Sequence, residues 1–364
     1  MRVLVIDVGT GTQDILLFDT EREPENCFKM VMPSPTVMVA ERIRRATVRG
    51  ATLLLTGVMM GGGPCSWAAE AHIKAGHGVY ATPDAARTFN DDLNEVVGMG
   101  VQVVDEDKAA RLQGVERITM RDFDLAAIRR ALAAFGVEGH FDALAVAVFD
   151  HGNAPPGYSD RQFRFDYLAE RLSVRNHLAS FAFWRDEVPQ SMTRLLAVTE
   201  TAPKEVPLFV MDTAPAAVLG ALEDPRVAAM SRCLVVNLGN QHTLAFRLAG
   251  GRIEGLFEHH TGLLGRDKLE SLLEKLAGGT LNHEELFDEH GHGALMFDRQ
   301  PVPLDFLAIT GPRRGLLKGS RYRPYLAVPY GDMMMAGCWG VVRALAESWP
   351  ERNKEIEAAL KAGS

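Results

Sequence analysis

The chain opens with two apolar β-type runs on either side of a glycine-threonine turn. Val3-Leu4-Val5-Ile6 leads into Asp7, Val8-Gly9-Thr10-Gly11-Thr12 forms the turn, and Gln13-Asp14-Ile15-Leu16-Leu17-Phe18-Asp19 returns. Two such runs, joined by so short a Gly-bearing connection, pair as an antiparallel hairpin. No helical pattern follows the glycines and no GKS/T occurs, so this is neither a Walker-type loop nor a dinucleotide GxGxxG. The tip instead offers free backbone N–H groups and hydroxyls that suit phosphate oxygens, with glycines permitting close approach. Asp7, at the strand end, stands where a carboxylate can organise Mg²⁺ beside those oxygens, directly or through water.

The same device recurs later. Cys233-Leu234-Val235-Val236 runs into Asn237, Leu238-Gly239-Asn240-Gln241 turns, and His242-Thr243-Leu244-Ala245-Phe246-Arg247-Leu248 returns. Gly250-Gly251 then closes a further hairpin into residues 252–258. Elsewhere short apolar runs alternate with helical patterns, which predicts an α/β protein. Strands are expected near 27–32, 52–56, 78–81, 100–104, 143–149 and 207–211, and helices near 36–48, 67–74 and 125–135. The 152–160 segment reads as an irregular loop, followed by a helix-rich stretch to about residue 196. Asp212-Thr213 reads as the cap of a small-residue helix over 214–222.

At 364 residues the chain exceeds what one core usually holds, so two domains are expected. A net charge of −8 argues against a chain built mainly to hold nucleic acid or an anionic membrane surface. No apolar run approaches the roughly 18–20 residues of a membrane span. Met1-Arg2-Val3-Leu4-Val5-Ile6-Asp7 reads as a strand without a cleavage-site pattern, and a cytoplasmic protein is expected. Cys27, Cys65, Cys233 and Cys338 are widely scattered and are expected to be buried free thiols. They include no closely spaced trio of the kind that holds an iron–sulfur cluster for radical chemistry.

Five segments, in this order, resemble the nucleotide site of the acetate and sugar kinase, heat-shock chaperone and actin ATPase superfamily. The first phosphate motif corresponds to Asp7-Val8-Gly9-Thr10-Gly11-Thr12-Gln13-Asp14, and the first connecting segment to Met211-Asp212-Thr213-Ala214-Pro215-Ala216-Ala217. The second phosphate motif corresponds to Asn237-Leu238-Gly239-Asn240-Gln241-His242-Thr243, and the adenosine motif to Leu307-Ala308-Ile309-Thr310-Gly311-Pro312. The second connecting helix corresponds to Asp332-Met333-Met334-Met335-Ala336-Gly337-Cys338-Trp339-Gly340.

This resemblance implies two ribonuclease H-like domains flanking a nucleotide cleft, the actin-like ATPase fold. Residues 1–225 would form the first domain, 226–340 the second, and the C-terminal helix 341–364 would pack back on the first. It implies ATP and Mg²⁺ as cofactors. Gly9, Thr10, Gly11, Thr12, Gly239, Asn240, Gln241, His242 and Thr243 would grip the phosphates, and Gly311 would lie against the adenosine. Asp7 and Asn237 would serve the metal, with Asp7 and Asp212 as catalytic residues and Asp212 positioning the attacking hydroxyl or water. Asp212 can also simply cap its helix. The chain departs from the pattern where Asn237 replaces the usual Asp and brings no charge. It departs again where Pro312 replaces a second glycine and removes an N–H.

At finer grain the sequence resembles a family labelled as pyruvate formate-lyase activating enzymes. The likeness lies in the opening motif, the Thr56 to Pro64 segment, Phe149-Asp150-His151-Gly152 and the Met-rich helix together. Taken together, an Mg²⁺-dependent ATP-binding phosphotransferase or ATPase acting on a small molecule is expected. The alternative is a nucleotide-responsive accessory protein that activates a partner, with little turnover of its own.

Asp150, His151, Gly61 and Gly62 follow strand ends, where open α/β sheets place ligand groups, and are candidates for an acceptor pocket. The competing reading is a tight turn and a satisfied buried imidazole. Arg313 and Arg314 are either phosphate or ribose contacts or a solvated pair. His259, His260, His283, His290 and His292 lie among acids, a pattern that suits either a transition metal or a polar loop. Met59-Met60 and Met333-Met334-Met335 read as core filler, the second run on an interior helix.

Overall fold

The structure, a computed structural model, describes residues 1–362. The opening hairpin forms as the alternation requires: β1 (Arg2–Val8) pairs antiparallel with β2 (Thr12–Asp19), and β3 (Phe28–Pro33) extends the sheet. Four parallel strands follow as an inserted lobe: β4 (Thr52–Gly57), β5 (Val79–Ala81), β6 (Val101–Val103) and β7 (Val115–Met120), in the order β6-β5-β4-β7. The chain then returns to the first sheet with β8 (Ala143–Val148), β9 (Ala182–Trp184) and β10 (Leu208–Asp212). The order there is β3-β2-β1-β8-β10-β9, with β8 parallel to both β1 and β10. Every residue of β8 is buried, as a parallel strand covered on both faces must be.

The second sheet repeats the plan. β11 (Arg232–Leu238), β12 (His242–Ala249) and β13 (Arg252–His260) form the meander, and β14 (Gly291–Met296) adds an edge. β15 (Leu307–Thr310) lies parallel to β11, with β16 (Tyr325–Leu326) beyond it. The orders β3-β2-β1-β8-β10 and β13-β12-β11-β15-β16 are the same arrangement: an antiparallel meander whose first strand takes a parallel neighbour. This is the ribonuclease H-like sheet twice over, the actin-like ATPase fold.

The two halves meet through their helices. Thr213–Ala221 and Ala336–Ser348 cross so closely that a Cβ on Gly220 would lie 1.7 Å from the Ala336 carbonyl oxygen. A Cβ on Gly340 would lie 1.8 Å from that of Ala216, so only glycine permits this backbone approach. Trp339 of the same helix is fully buried, edge-on to Phe18 at 6.1 Å. The Pro350–Ala362 helix reaches the opening hairpin, where the Thr20 hydroxyl donates to Glu355 Oε1 at 2.7 Å. Of the segment expected to pack back on the first domain, residues 363–364 lie outside those described.

All four cysteines are free and buried. Among the described residues no helix is long and apolar enough to cross a membrane. Two sequence expectations change. β7 escapes the sequence reading because it pairs on one side only and carries two consecutive polar residues, Glu116 and Arg117, which interrupt the alternation. The Met333–Met335 run is a 3-10 turn ahead of the helix; Met335 is buried, but Met333 and Met334 are half-buried and line the central cleft. Only Met335 is core filler.

Candidate active site in the central cleft

The hairpin turns at the ends of β1 and β11 have matching geometry. Gly9 N–H donates to the Thr12 carbonyl at 2.9 Å, and Gly239 N–H to that of His242 at 3.0 Å. Asp7 sits opposite Asp14 in one hairpin, and Asn237 opposite Leu244 in the other. The two tips converge: a Cβ on Gly11 would lie 2.6 Å from Asn240 Nδ2. Gly63 joins them, with the corresponding position 3.4 Å from Gln241 Nε2 and 3.7 Å from Thr10 Cγ2. Gly311, at φ 94°, abuts Asn237, whose Oδ1 is 2.7 Å from where a Cβ would be. These residues line one cleft of about 1460 Å³.

At the floor of this cleft lies a pair of acids. The Thr213 hydroxyl donates to Asp7 Oδ1 at 2.5 Å, and Gly337 packs so tightly that a Cβ there would lie 1.8 Å from Asp7 Oδ2. Asp14 Oδ1 is buried without a hydrogen-bond partner. Burial pushes Asp7 up to about 6, against the Thr213 hydrogen bond. Burial, then the Asp7 charge, pushes Asp14 up to about 8. Two carboxylates withdrawn from water at adjoining positions favour the proton, or a cation in its place.

Most of the other expected residues line the same space: Gly9 to Thr12, Gly239 to His242, Asn237, Gly61, Gly62, Asp150 and His151. Thr243 and Asp212 do not behave as expected, and Asp150 lines the cleft with its carboxylate already engaged. Thr243 is fully buried in the second sheet, its hydroxyl 2.9 Å from that of Thr261, because alternation along β12 turns it from the cleft. Asp150 accepts from the backbone N–H of Gly152 and of Leu195, both at 2.8 Å, and so anchors the strand end. Asp212 has both oxygens occupied. Oδ1 accepts from Ala214 N at 3.0 Å as a helix cap, and Oδ2 is ion-paired with Arg164. Asp212 is 3% exposed and does not line the cleft, so in this geometry no hydroxyl in the cleft meets a free Asp212 oxygen. Arg313 and Arg314 also lie off the cleft, with Arg314 Nη1 3.3 Å from Met333 Sδ.

A family model described as "Putative pyruvate format-lyase activating enzyme (DUF1786)" matches residues 60–316. The chain belongs to this family. Among curated proteins none matches the chain. Solved structures similar to it include an inorganic polyphosphate/ATP-glucomannokinase from Arthrobacter sp. strain KM, at 11% identity over 99% of each chain and TM-score 0.35. The ethanolamine utilization protein EutJ from Carboxydothermus hydrogenoformans is 13% identical over 95% of this chain and 89% of its own, at TM-score 0.34. A ROK family transcriptional regulator, a homolog of the E. coli MLC protein, is 8% identical at TM-score 0.27. It covers 69% of this chain, which spans only 37% of it. The strand order, not these low scores, carries the fold assignment.

For this DUF1786 chain the family description meets no cysteine cluster. Cys27, Cys65 and Cys338 each contact a backbone carbonyl instead, and burial raises Cys233 to about 11. Sequence reasoning missed Arg164 altogether. Its guanidinium, fully buried, pairs with Asp212 and with Glu258 (Nε to Oε2, 3.2 Å), donates to the Asp150 carbonyl and faces the Phe149 ring at 4.7 Å. It therefore ties β10 to β13 across the two sheets. Nothing local marks it, because a lone arginine on the Asp160–Val174 helix looks like any solvated charge. Arg194 was missed for the same reason; it holds Asp122 through Nε and Nη2 at 2.8 Å and Gly61 packs on it.

Proposed function

We propose that the cleft takes a nucleoside triphosphate with Mg²⁺ and that the chain is an ATP-dependent phosphotransferase or ATPase acting on a small molecule. The observation that carries this reading is the meeting of the Gly11 and Asn240 tips above the buried Asp7 and Asp14 carboxylates. Glycine-rich tips from two sheets give a concave set of N–H groups suited to one polyphosphate. The partnerless Asp14 Oδ1 and the raised Asp7 and Asp14 fit a hard divalent cation. Asp7 and Asp14, with the Asn237 amide, would hold it, and it would offset charge on the phosphate oxygens. Gly9 to Thr12 and Gly239 to His242 would bind those oxygens. Gly311 would lie against the nucleoside, and His151, Gly61 and Gly62 would border the acceptor. In this reading residues 1–225 and 226–340 act as the two domains that close on the ligand.

A second reading is a nucleotide-responsive accessory protein that activates a partner enzyme with little turnover of its own. Asp212, with Arg164 and Ala214 N on its two oxygens, favours it, as does the uncharged Asn237.

The test is calorimetry with ATP and Mg²⁺ on the full chain, beside an ATP hydrolysis assay with and without a metabolite panel. Mg²⁺-dependent ATP binding that weakens at least roughly tenfold in Asp7→Ala is expected. Binding with turnover supports the enzyme, and binding without turnover supports the accessory reading. An absence of ATP binding, or equal affinity with and without Mg²⁺ in both proteins, defeats the proposal.

A further inference from the structure

Three histidines from three adjacent strands meet on the second sheet's side of the cleft. His242 opens β12 opposite His260, the last residue of β13, and His292 stands on β14. An irregularity in the β13–β14 ladder between Glu258 and His259 shifts the register by one residue beside His292. Ring centroids are 4.4 Å apart for His260 and His292, 4.8 Å for His242 and His292, and 5.4 Å for His242 and His260. One ring nitrogen from each lies within 4.8 Å of the others. All three rings line the cleft. We propose that these three imidazoles bind a divalent transition-metal ion of the Zn²⁺ class, with an open coordination position facing the cleft.

The hydrogen bonding leaves the ring nitrogens available to a cation. His292 Nδ1 and Glu258 Oε1 are both buried without a partner, and Nε2 of the same ring lies 3.7 Å from that Oε1. If Nδ1 takes the metal, Nε2–H is left to Glu258, the carboxylate–histidine pairing that orients a metal-bound imidazole. Among the described residues no hydrogen bond reaches the rings of His242 or His260. Phe149 stacks on His242 at 4.3 Å and 11°, which steadies that ring.

The chemistry also selects the ion. Neutral imidazoles suit Zn²⁺ and its neighbours, whereas Mg²⁺ demands oxygen. At a Zn–N bond of about 2.0–2.1 Å, tetrahedral ligands stand about 3.4 Å apart, so the half-buried rings of His242 and His260 would turn inward on binding. Two cations lie nearby, and both are engaged. Arg164 is taken by Asp212 and Glu258, and Arg161 donates to the carbonyls of Phe287 and Gly291. The site uses neither Asp7 nor Asp14; it shares only His242 with the residues proposed for the phosphates, so it is tested without nucleotide.

The experiment uses the full chain, stripped of metal and free of nucleotide. It is titrated with Zn²⁺ by calorimetry and with Co²⁺ by visible absorption. One equivalent is expected, with the Co²⁺ band of a low-coordinate nitrogen site and no displacement by excess Mg²⁺. His260→Ala and His242→Ala, at half-buried positions that tolerate truncation, should each weaken binding at least roughly tenfold with unchanged circular dichroism. Asp7→Ala should leave it intact. Failure of the wild-type chain to bind either ion overturns the proposal. So does displacement by Mg²⁺, unchanged affinity in both histidine variants, or loss of the site in Asp7→Ala.

Discussion

Replacing Arg164 by methionine removes the one cation shared by two buried carboxylates. Arg164 and Glu258 are fully buried and Asp212 is 3% exposed, so water cannot take over the guanidinium's role. Methionine keeps most of the volume, which leaves the electrostatic loss as the main cost. Breaking a buried pair costs about 3–5 kcal/mol, a large share of the roughly 5–15 kcal/mol that holds a typical fold. Burial already raises the Asp212 carboxyl above its usual range, and the Arg164 charge pulls it back. Without Arg164 the folded value rises further above the unfolded one. A group with a raised folded value loses stability as pH climbs through the window between the two values. The deficit of Arg164→Met should therefore be largest near pH 8 and shrink toward pH 5. Urea unfolding followed by tryptophan fluorescence at both pH values measures it. The triple variant with Asp212→Asn and Glu258→Gln should recover much of the loss, because no buried charge is then unpaired. A deficit below about 1 kcal/mol at pH 8, or one equal at both pH values, would refute the reasoning.

Gly220→Ala should lower stability by at least about 1–3 kcal/mol, since the new methyl meets the Ala336 carbonyl and Gly340 N, which are backbone and cannot step aside. Gly98→Ala, where nothing lies within 4 Å, is the control, and thermal melts of both decide the matter. Gly11→Ala meets only the Asn240 side chain, which can rotate, so the melting point should hold while ATP affinity falls roughly tenfold in calorimetry. Asp212→Asn should leave ATP affinity and any turnover within roughly twofold to threefold, because both oxygens are already taken by Ala214 N and Arg164; a loss of an order of magnitude in turnover would show that Arg164 releases Asp212 to a hydroxyl in the working enzyme.

The two phosphate-type hairpins were legible because their information is local. Apolar runs of strand length around Gly9-Thr10-Gly11 and around Gly239-Asn240 settle both pairing and register within a dozen residues. The register that sets Asp14 opposite Asp7 follows from the turn length, so that pair was within reach of the sequence. The histidine-dense stretch left a metal site or a polar loop open for His259, His260, His283, His290 and His292, and it did not include His242. Which three rings gather was decided by β14, whose Gly-His-Gly start has little strand preference and pairs only because β13 offers an edge.

What the sequence determined by itself is the repeated strand–turn–strand device, the α/β alternation and the small-residue helices, all written in neighbours a few residues apart. Tertiary structure alone decided that Arg164 would neutralise Asp212 and Glu258, 48 and 94 positions along the chain, and so close off the oxygen that the sequence assigned to a hydroxyl. The physical reason is that a buried charge takes whatever opposite charge packing delivers to it, and packing between distant segments leaves no periodic trace in either one.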